Sequence, residues 1–238
     1  MKVIYRISDG GNNKLRPRYV TKKNCLLNFL KTFSGCDIYI VADNVKDETY
    51  LFLQQYMPKE KIIKTSLGNC KSFVFIMEYA ITHFNPNETV YFGEDDYLYT
   101  PKALEILTEG LKISDYVTGY DHPDKYSNHQ YVNPLVRDGG ENTRVLLTKN
   151  SHWKYTNSTC MTFGANISIL KEDYDVFKEG CNYSKKTPDD FELWQNLINN
   201  KNRKLISPLP GVCTHGETIN LSPLVNWENT IVSDDLDL

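Results

Sequence analysis

Nothing in this chain approaches the ~18 consecutive apolar residues of a membrane-spanning helix. The opening Met1-Lys2-Val3-Ile4-Tyr5-Arg6 lacks the apolar core of a secretory leader, so a soluble, cytoplasmic protein is expected. The six cysteines (Cys25, Cys36, Cys70, Cys160, Cys181, Cys213) form no C-x-x-C pair, which argues against a zinc knuckle or a thioredoxin-like motif. Scattered in this way they read as free thiols in a reducing compartment. Neither sign of charge is in strong excess: 27 Lys+Arg against 30 Asp+Glu leaves −3, too balanced to grip nucleic acid by neutralising phosphates. A nucleic-acid polymer is therefore not an expected partner. Repeats and low-complexity segments are absent. The Asn-x-Ser/Thr triplets, such as Asn157-Ser158-Thr159 and Asn182-Tyr183-Ser184, matter only in a secreted chain and here follow from an Asn-rich composition.

What is present is an alternation of periods. Val3 to Ile7 reads as a strand, followed by a turn from Ser8 to Asn13 and a helix carrying Leu26, Phe29, Leu30 and Phe33. Asp37 to Ala42 reads as a second strand ending at Asp43-Asn44, and a helix through Leu51, Phe52 and Gln55 follows. Phe73, Ile76, Met77, Ala80, Ile81 and Phe84 trace one buried helix face, leading into the apolar run Thr89-Val90-Tyr91-Phe92-Gly93. Pro101 to Lys112 predicts a helix and Tyr116 to Tyr120 a strand; 121–150 predicts a long functional loop. Short strands are expected at Trp153 to Tyr155 and Thr159 to Phe163. A helix opened by Thr187-Pro188-Asp189-Asp190 and a last strand Lys204 to Ser207 complete the pattern. Such alternation specifies an α/β fold with a mostly parallel sheet and right-handed crossovers. At 238 residues the chain fits one large α/β domain or two small ones, with about 70% or more of its surface buried.

In parallel sheets ligands bind beyond the carboxyl ends of the strands, and polar clusters fall at those ends. The sharpest is Glu94-Asp95-Asp96, three acids directly after a buried strand. Adjacent carboxylates repel unless a cation lies between them, and oxygen donors suit Mg²⁺ or Mn²⁺. Asp96 is the expected direct ligand, with Asp95 facing the ribose or the metal's waters and Glu94 behind them. His215, in a Gly-flanked turn after the last strand, is a second candidate ligand and suits Mn²⁺ better than Mg²⁺. The alternative reading makes the triplet a solvated loop and His215 an exposed polar residue.

Further candidates surround this centre. Asp189 and Asp190 fit a helix start with Thr187 as N-cap, Pro188 first and Asp190 third, a complete structural account. Either acid beside a sugar site would also deprotonate a hydroxyl or support positive charge at an anomeric carbon, Asp190 being favoured. Arg6, Ser8, Asp9 and Asp43 at strand ends, with Lys71 and Ser72 at a helix start, are candidates for contacting base, ribose or phosphate, ordinary turn chemistry being the alternative. Trp153 is a candidate stacking face for a sugar, although an aromatic on a strand is more often core. Arg137 and His122 are candidates on the acceptor side.

The order and spacing of these motifs resemble a GT-A glycosyltransferase. Glu94-Asp95-Asp96 matches the acidic D-x-D-type motif, Asp189-Asp190 an acid pair of the x-E-D type, and His215 a late metal-binding histidine. The resemblance runs from Met1 to about Glu217. It implies a nucleotide-sugar-binding half (1–120), an acceptor and catalytic half (121–217) and a tail (218–238). Glu94 stands where the motif has its first Asp, which leaves one or two acids on the metal. The opening Lys2-Val3-Ile4-Tyr5-Arg6-Ile7-Ser8-Asp9 is similar to a glycosyltransferase domain at the N-terminus of a large chlorella-virus protein. That similarity implies a UDP-sugar donor such as UDP-rhamnose, a glycan or glycoprotein acceptor, cytoplasmic glycan assembly (the host's, for a viral chain) and further domains C-terminal of the acidic tail.

Two rivals come from other classes. Gly10-Gly11-Asn12-Asn13-Lys14-Leu15-Arg16-Pro17 resembles the G-G-x-G-x-R-L-x-P loop of sugar nucleotidyltransferases, which make activated sugars. Here Asn13 and Lys14 replace the third glycine and the arginine, and without that glycine the backbone wraps a triphosphate less closely. A non-catalytic sugar-binding module would explain the aromatics but not the acid cluster.

Overall fold

The computed structural model describes residues 1–10, 14–126, 128–181 and 187–232. Gly11, Asn12 and Asn13 of the glycine-rich loop, the triplet at Asn182 and the acidic tail lie outside them. The described residues form eleven strands and six helices: β1 (Lys2–Ser8), α1 (Lys22–Thr32), β2 (Asp37–Asp43), α2 (Asp47–Leu53), β3 (Ile62–Thr65), α3 (Asn69–His83), β4 (Thr89–Glu94), β5 (Tyr97–Tyr99) and α4 (Ala103–Gly110) come first. Then follow β6 (Tyr116–Val117), β7 (Val145–Leu147), β8 (His152–Tyr155), β9 (Phe163–Asn166), α5 (Ile167–Gly180), α6 (Asp190–Asn200), β10 (Leu205–Leu209) and β11 (Cys213–His215).

Nine strands make one sheet in the order β3-β2-β1-β4-β9-β6-β10-β8-β7, and β5 and β11 form a separate antiparallel pair. The first four are mutually parallel, while β9 enters antiparallel between β4 and β6, and β8 is antiparallel to β10. The remaining strands run with β1, so the sheet is mostly parallel. Buried on both faces, β1 reads as a continuous apolar run, and its alternation sorts the core. Val3, Tyr5 and Ile7 pack with Leu26 and Phe29 of α1 and with Phe33, its C-cap residue. Ile4 packs on the other side with Phe73 and Met77 of α3 and with Phe163, Phe177 and Trp194.

Local signals set the boundaries. Thr21 caps α1, its Oγ1 accepting from Asn24 N at 3.1 Å. The α6 N-cap is Asp189, whose side chain accepts from Glu192 N, so Asp190 is the first helical residue. This corrects the expectation of Thr187 as cap: the backbone N–H of Asp189 bonds Gly180 O at 3.1 Å, tying the helix start to the end of α5. The strand expected over 116–120 closes after Val117, β9 begins at Phe163 and not Thr159, and β10 is followed by β11. Strands β3, β5 and β7 and helix α5 are not among the elements the sequence pattern predicts. In α5, Asp173 sits fully buried beneath the sheet, held by Arg203 (Nε and Nη2 at 2.7 and 3.0 Å) and by the Tyr116 hydroxyl at 2.7 Å.

The segment expected as a long loop is largely irregular, with a 3₁₀ turn at Pro123–Lys125 and β7 near its end. Two buried lysines fasten it. Lys154 on β8 pairs with Asp121 at 2.8 Å and Glu141 at 3.4 Å, and Lys125 donates to Asn157 Oδ1 and Ser158 Oγ, both at 2.6 Å. No helix among the described residues is long and apolar enough to cross a membrane.

Candidate functional site

Strands β1, β2 and β4 end side by side, with Ser8 opposite Asp43 and Arg6 opposite Glu94. Above these ends lies a cleft of about 600 Å³. Of the residues expected at a site, Arg6, Ser8, Asp43, Ser72, Asp95, Asp96, Asp190 and His215 line it. Gly93 places the acids: it lies over the Phe29 ring, where an added Cβ would meet Cε2 at 2.5 Å. A side chain there would push the strand tip off the core.

The three acids have three different environments. Glu94 is paired with Arg6, whose Nη1 also donates to Ser72 Oγ at 2.9 Å and to Asn69 O at 2.7 Å. Arg6 thus neutralises Glu94 and anchors the start of α3, and its fork is spent within the protein. Asp95 accepts from the backbone N–H of Ser8 at 3.1 Å. Its enclosure by protein, then the neighbouring Asp96 charge, push its carboxyl up to about 7. Burial also works to raise Asp96, but His215, Arg16 and Lys14 outweigh it and hold that carboxyl below the usual range. Asp96 Oδ2 lies 3.1 Å from His215 Nε2 and 2.8 Å from Arg16 Nη2.

His215 arrives from far along the chain through a ladder. In the β5/β11 pair it stands opposite Tyr97, and Gly216 N donates to Asp96 O at 2.7 Å. The Tyr97 ring stacks on the imidazole, centroids 5.2 Å apart at 24°. Burial lowers the histidine's proton affinity, but Asp96 more than restores it, leaving its pKa above the ordinary value.

Asp190 faces the same cleft from α6. Enclosure raises its carboxyl, offset in part by the Phe191 N–H, the His122 imidazole and the Cys160 thiol. His122 is thus near Asp190, but its Nδ1 is engaged by Asp124 at 2.9 Å. Asp43 is buried and fully used, accepting from Thr65 Oγ1, Leu67 N, Gly68 N and Asn44 Nδ2 at 2.7 to 3.0 Å. It shapes the turn ahead of α3.

Other candidates lie elsewhere. Trp153 is fully buried against Gly110, its Nε1 donating to Thr148 Oγ1 at 3.0 Å, so the expectation of a sugar-stacking face is corrected: it is core. Arg137 curls onto Pro134 O and Val136 O at 2.7 and 3.0 Å and is outside the cleft lining. Asp9 ties Lys22 to the Lys46 N–H, while Lys71 is exposed; neither, nor Asp189, lines the cleft. Conversely Lys14, Arg16, Tyr97 and Cys160 line it without being expected as site residues. The signal for the two cations is their place in the loop leaving β1, which must lie at the ligand edge.

The fit of a divalent ion rests on the donor set. Among the described residues no three His, Cys, Asp or Glu side chains converge on one point. Mg²⁺ and Mn²⁺, however, need only one or two protein donors when phosphates and water supply the rest. Asp96 Oδ2 and His215 Nε2, 3.1 Å apart, have the separation of neighbouring ligands around an ion bonded at ~2.1 Å. This carboxylate and imidazole fit such an ion.

No protein-family model matches the sequence, and no curated protein does. Among solved structures the chain is similar to a protein from Desulfovibrio desulfuricans G20 provisionally named a nucleotide-diphospho-sugar transferase, with 10% identity, 87% of this chain and 78% of that one covered, and a TM-score of 0.52. Looser likenesses are to 4-diphosphocytidyl-2C-methyl-D-erythritol synthase from Anaerococcus prevotii DSM 20548 (14% identity, 96% and 92% covered, TM-score 0.46) and to S. aureus TarS 1–349 in complex with UDP (15%, 87% and 57%, 0.49). These two carry no argument. The first, with the strand order above, shows the fold: α/β of the GT-A, Rossmann-like type, a large mostly parallel sheet flanked by helices.

Proposed function

We propose that this chain is a glycosyltransferase that moves a hexose or deoxyhexose, L-rhamnose by its resemblance, from a UDP-sugar to a glycan hydroxyl with the help of Mn²⁺ or Mg²⁺. One observation carries the reading: a carboxylate and imidazole suited to a divalent ion, and a separate enclosed carboxylate, face one cleft at the carboxyl edge of a parallel sheet. Asp96 and His215 would hold the ion, which when bound offsets the charge growing on the departing diphosphate. Ser8 and the turn shaped by Asp43 belong to the donor half (1–120), and Asp190 serves the acceptor half (121–217).

Asp190 does the proton work in an inverting reaction. Enclosure strengthens it as a base, so it takes the acceptor hydroxyl's proton as that oxygen attacks the anomeric carbon. In a retaining reaction the same carboxylate stabilises positive charge at that carbon. Among the described residues none of the six cysteines is in a disulfide, which favours a reducing compartment.

A second reading, sugar nucleotidyl transfer, is favoured by Lys14 and Arg16 lying in the cleft on the loop that leaves β1. Incubating nucleotide sugars with the protein and Mn²⁺ separates the two. Release of free UDP supports glycosyl transfer, whereas pyrophosphate release from a nucleoside triphosphate and a sugar phosphate supports the rival. Asp190→Asn should lower the transfer rate by roughly 10²- to 10⁴-fold while leaving UDP binding intact. An unchanged rate would remove Asp190 from the mechanism.

A further inference from the structure

We propose that Arg16 is a built-in counter-cation: it holds Asp96 in the free protein, yields it to the divalent ion, and then turns its released guanidinium to the diphosphate arriving with that ion. This rests on the metal-assisted transfer reading above and adds a device to it.

The argument begins at one oxygen. Asp96 Oδ2 receives Arg16 Nη2 at 2.8 Å and faces His215 Nε2 at 3.1 Å. A dication bonded to that oxygen and that nitrogen would stand within a few ångströms of the guanidinium, where like charges in a partly enclosed site repel strongly. The ion pair and the metal are therefore alternative partners. Arg16 is also under-used where it is. Its Nε is buried without a hydrogen-bond partner among the described residues, so its donor fork is only partly satisfied. Arg6, the other cleft guanidinium, is spent on Glu94, Ser72 and Asn69.

The neighbourhood repeats the arrangement. Lys14, two residues earlier on the same loop, pairs with Glu217, two residues after His215. Both cations are thus held against acids at the metal-side wall of the cleft. A nucleoside diphosphate with its cation brings positive charge for the acids and negative charge for the bases, so both sets exchange partners at little electrostatic cost. Guanidinium suits this exchange because its fork matches phosphate oxygens in pairs. Its long side chain turns without moving the backbone.

The test uses the intact protein and two ligands measured separately: Mn²⁺ alone, by the spin-resonance signal of the free ion, and UDP at saturating Mn²⁺, by calorimetry. In Arg16→Gln, Mn²⁺ alone should bind roughly tenfold tighter than in wild type, because the competitor is gone, while UDP should bind roughly tenfold more weakly, because a phosphate contact is lost. Opposite changes in one variant are the signature. Unchanged or weaker Mn²⁺ binding in a folded Arg16→Gln would overturn the proposal. Arg16→Lys, which keeps the charge but not the fork, provides a second arm should the glutamine variant fail to fold. It should bind Mn²⁺ as wild type does and UDP several-fold more weakly, and equal UDP affinity would again overturn it. Asp96→Asn separates the two levels. If wild type binds Mn²⁺ with UDP and Asp96→Asn does not, yet Arg16→Gln behaves as wild type, the Arg16 device alone fails; if Asp96→Asn binds both as well as wild type, the metal reading beneath it fails.

Discussion

Replacing Asp95 by asparagine should stabilise the metal-free protein at pH 8, and by only about a third as much at pH 5. The carboxyl is enclosed and stands beside Asp96, and these two causes push it up to about 7 against a small opposing pull from Ser8 N and Lys22. In the unfolded chain it returns to about 3.9. Between those values the folded state binds the proton more tightly, so stability is full below about pH 4, falls as pH rises through the window, and stays reduced above 7. A displacement of that size corresponds to at most about 4 kcal/mol at pH 8. The carboxylate keeps a face toward cleft water, so an effect of about 2 kcal/mol is expected. For a chain of this length that is roughly 4 to 8 °C in Tm. Asparagine is isosteric with the protonated acid and its amide oxygen still accepts from Ser8 N. Melting curves in EDTA at matched ionic strength, from pH 5 to 8, measure the difference. A gain of the same size at pH 5 and pH 8, or a lower Tm for the variant at pH 8, would refute the reasoning.

The other predictions concern the scaffold. Arg203→Ala strands the buried Asp173 carboxylate without its bidentate partner and should cost about 3 to 5 kcal/mol in urea unfolding; a loss below about 1 kcal/mol would show that Tyr116 and water suffice. Gly93→Ala forces a methyl group into the Phe29 ring and should cost about 1 to 3 kcal/mol. Because the acids follow directly, the same variant should weaken UDP binding at saturating Mn²⁺, and unaltered binding would uncouple the strand tip from the site.

The parts of this structure that can be read from sequence are those whose signal is local. The apolar run of β4 ending in acids, and the apolar stripe of α3, carry period and position together. Helix α5 does not, because its inward stripe passes through Asp173, a charge made acceptable only by Arg203 thirty residues on. Arg6 looked like a ligand contact for the same kind of reason: Glu94, its partner, is 88 positions away. Trp153 resembled a stacking platform because nothing near it in sequence announces Gly110, the small residue that lets the indole sink into the core. Asp96 and His215 can be read from sequence as candidate ligands of one cation, but the ladder that brings them together is three residues long, too short to give a periodic signal.

That ladder has a consequence for timing. Strands β1 to β4, the floor of the cleft, lie within the first hundred residues, whereas the imidazole beside Asp96 comes only with β11. During synthesis, where amino-terminal segments emerge and fold first, the floor can form while His215, the second ligand of the proposed ion site, is still inside the ribosome. On the proposed reading, a nascent chain would hold the acids and Arg16 together long before it could grip a cation well, and catalytic competence would switch on late, when residues 213 to 215 zip onto Tyr97–Tyr99.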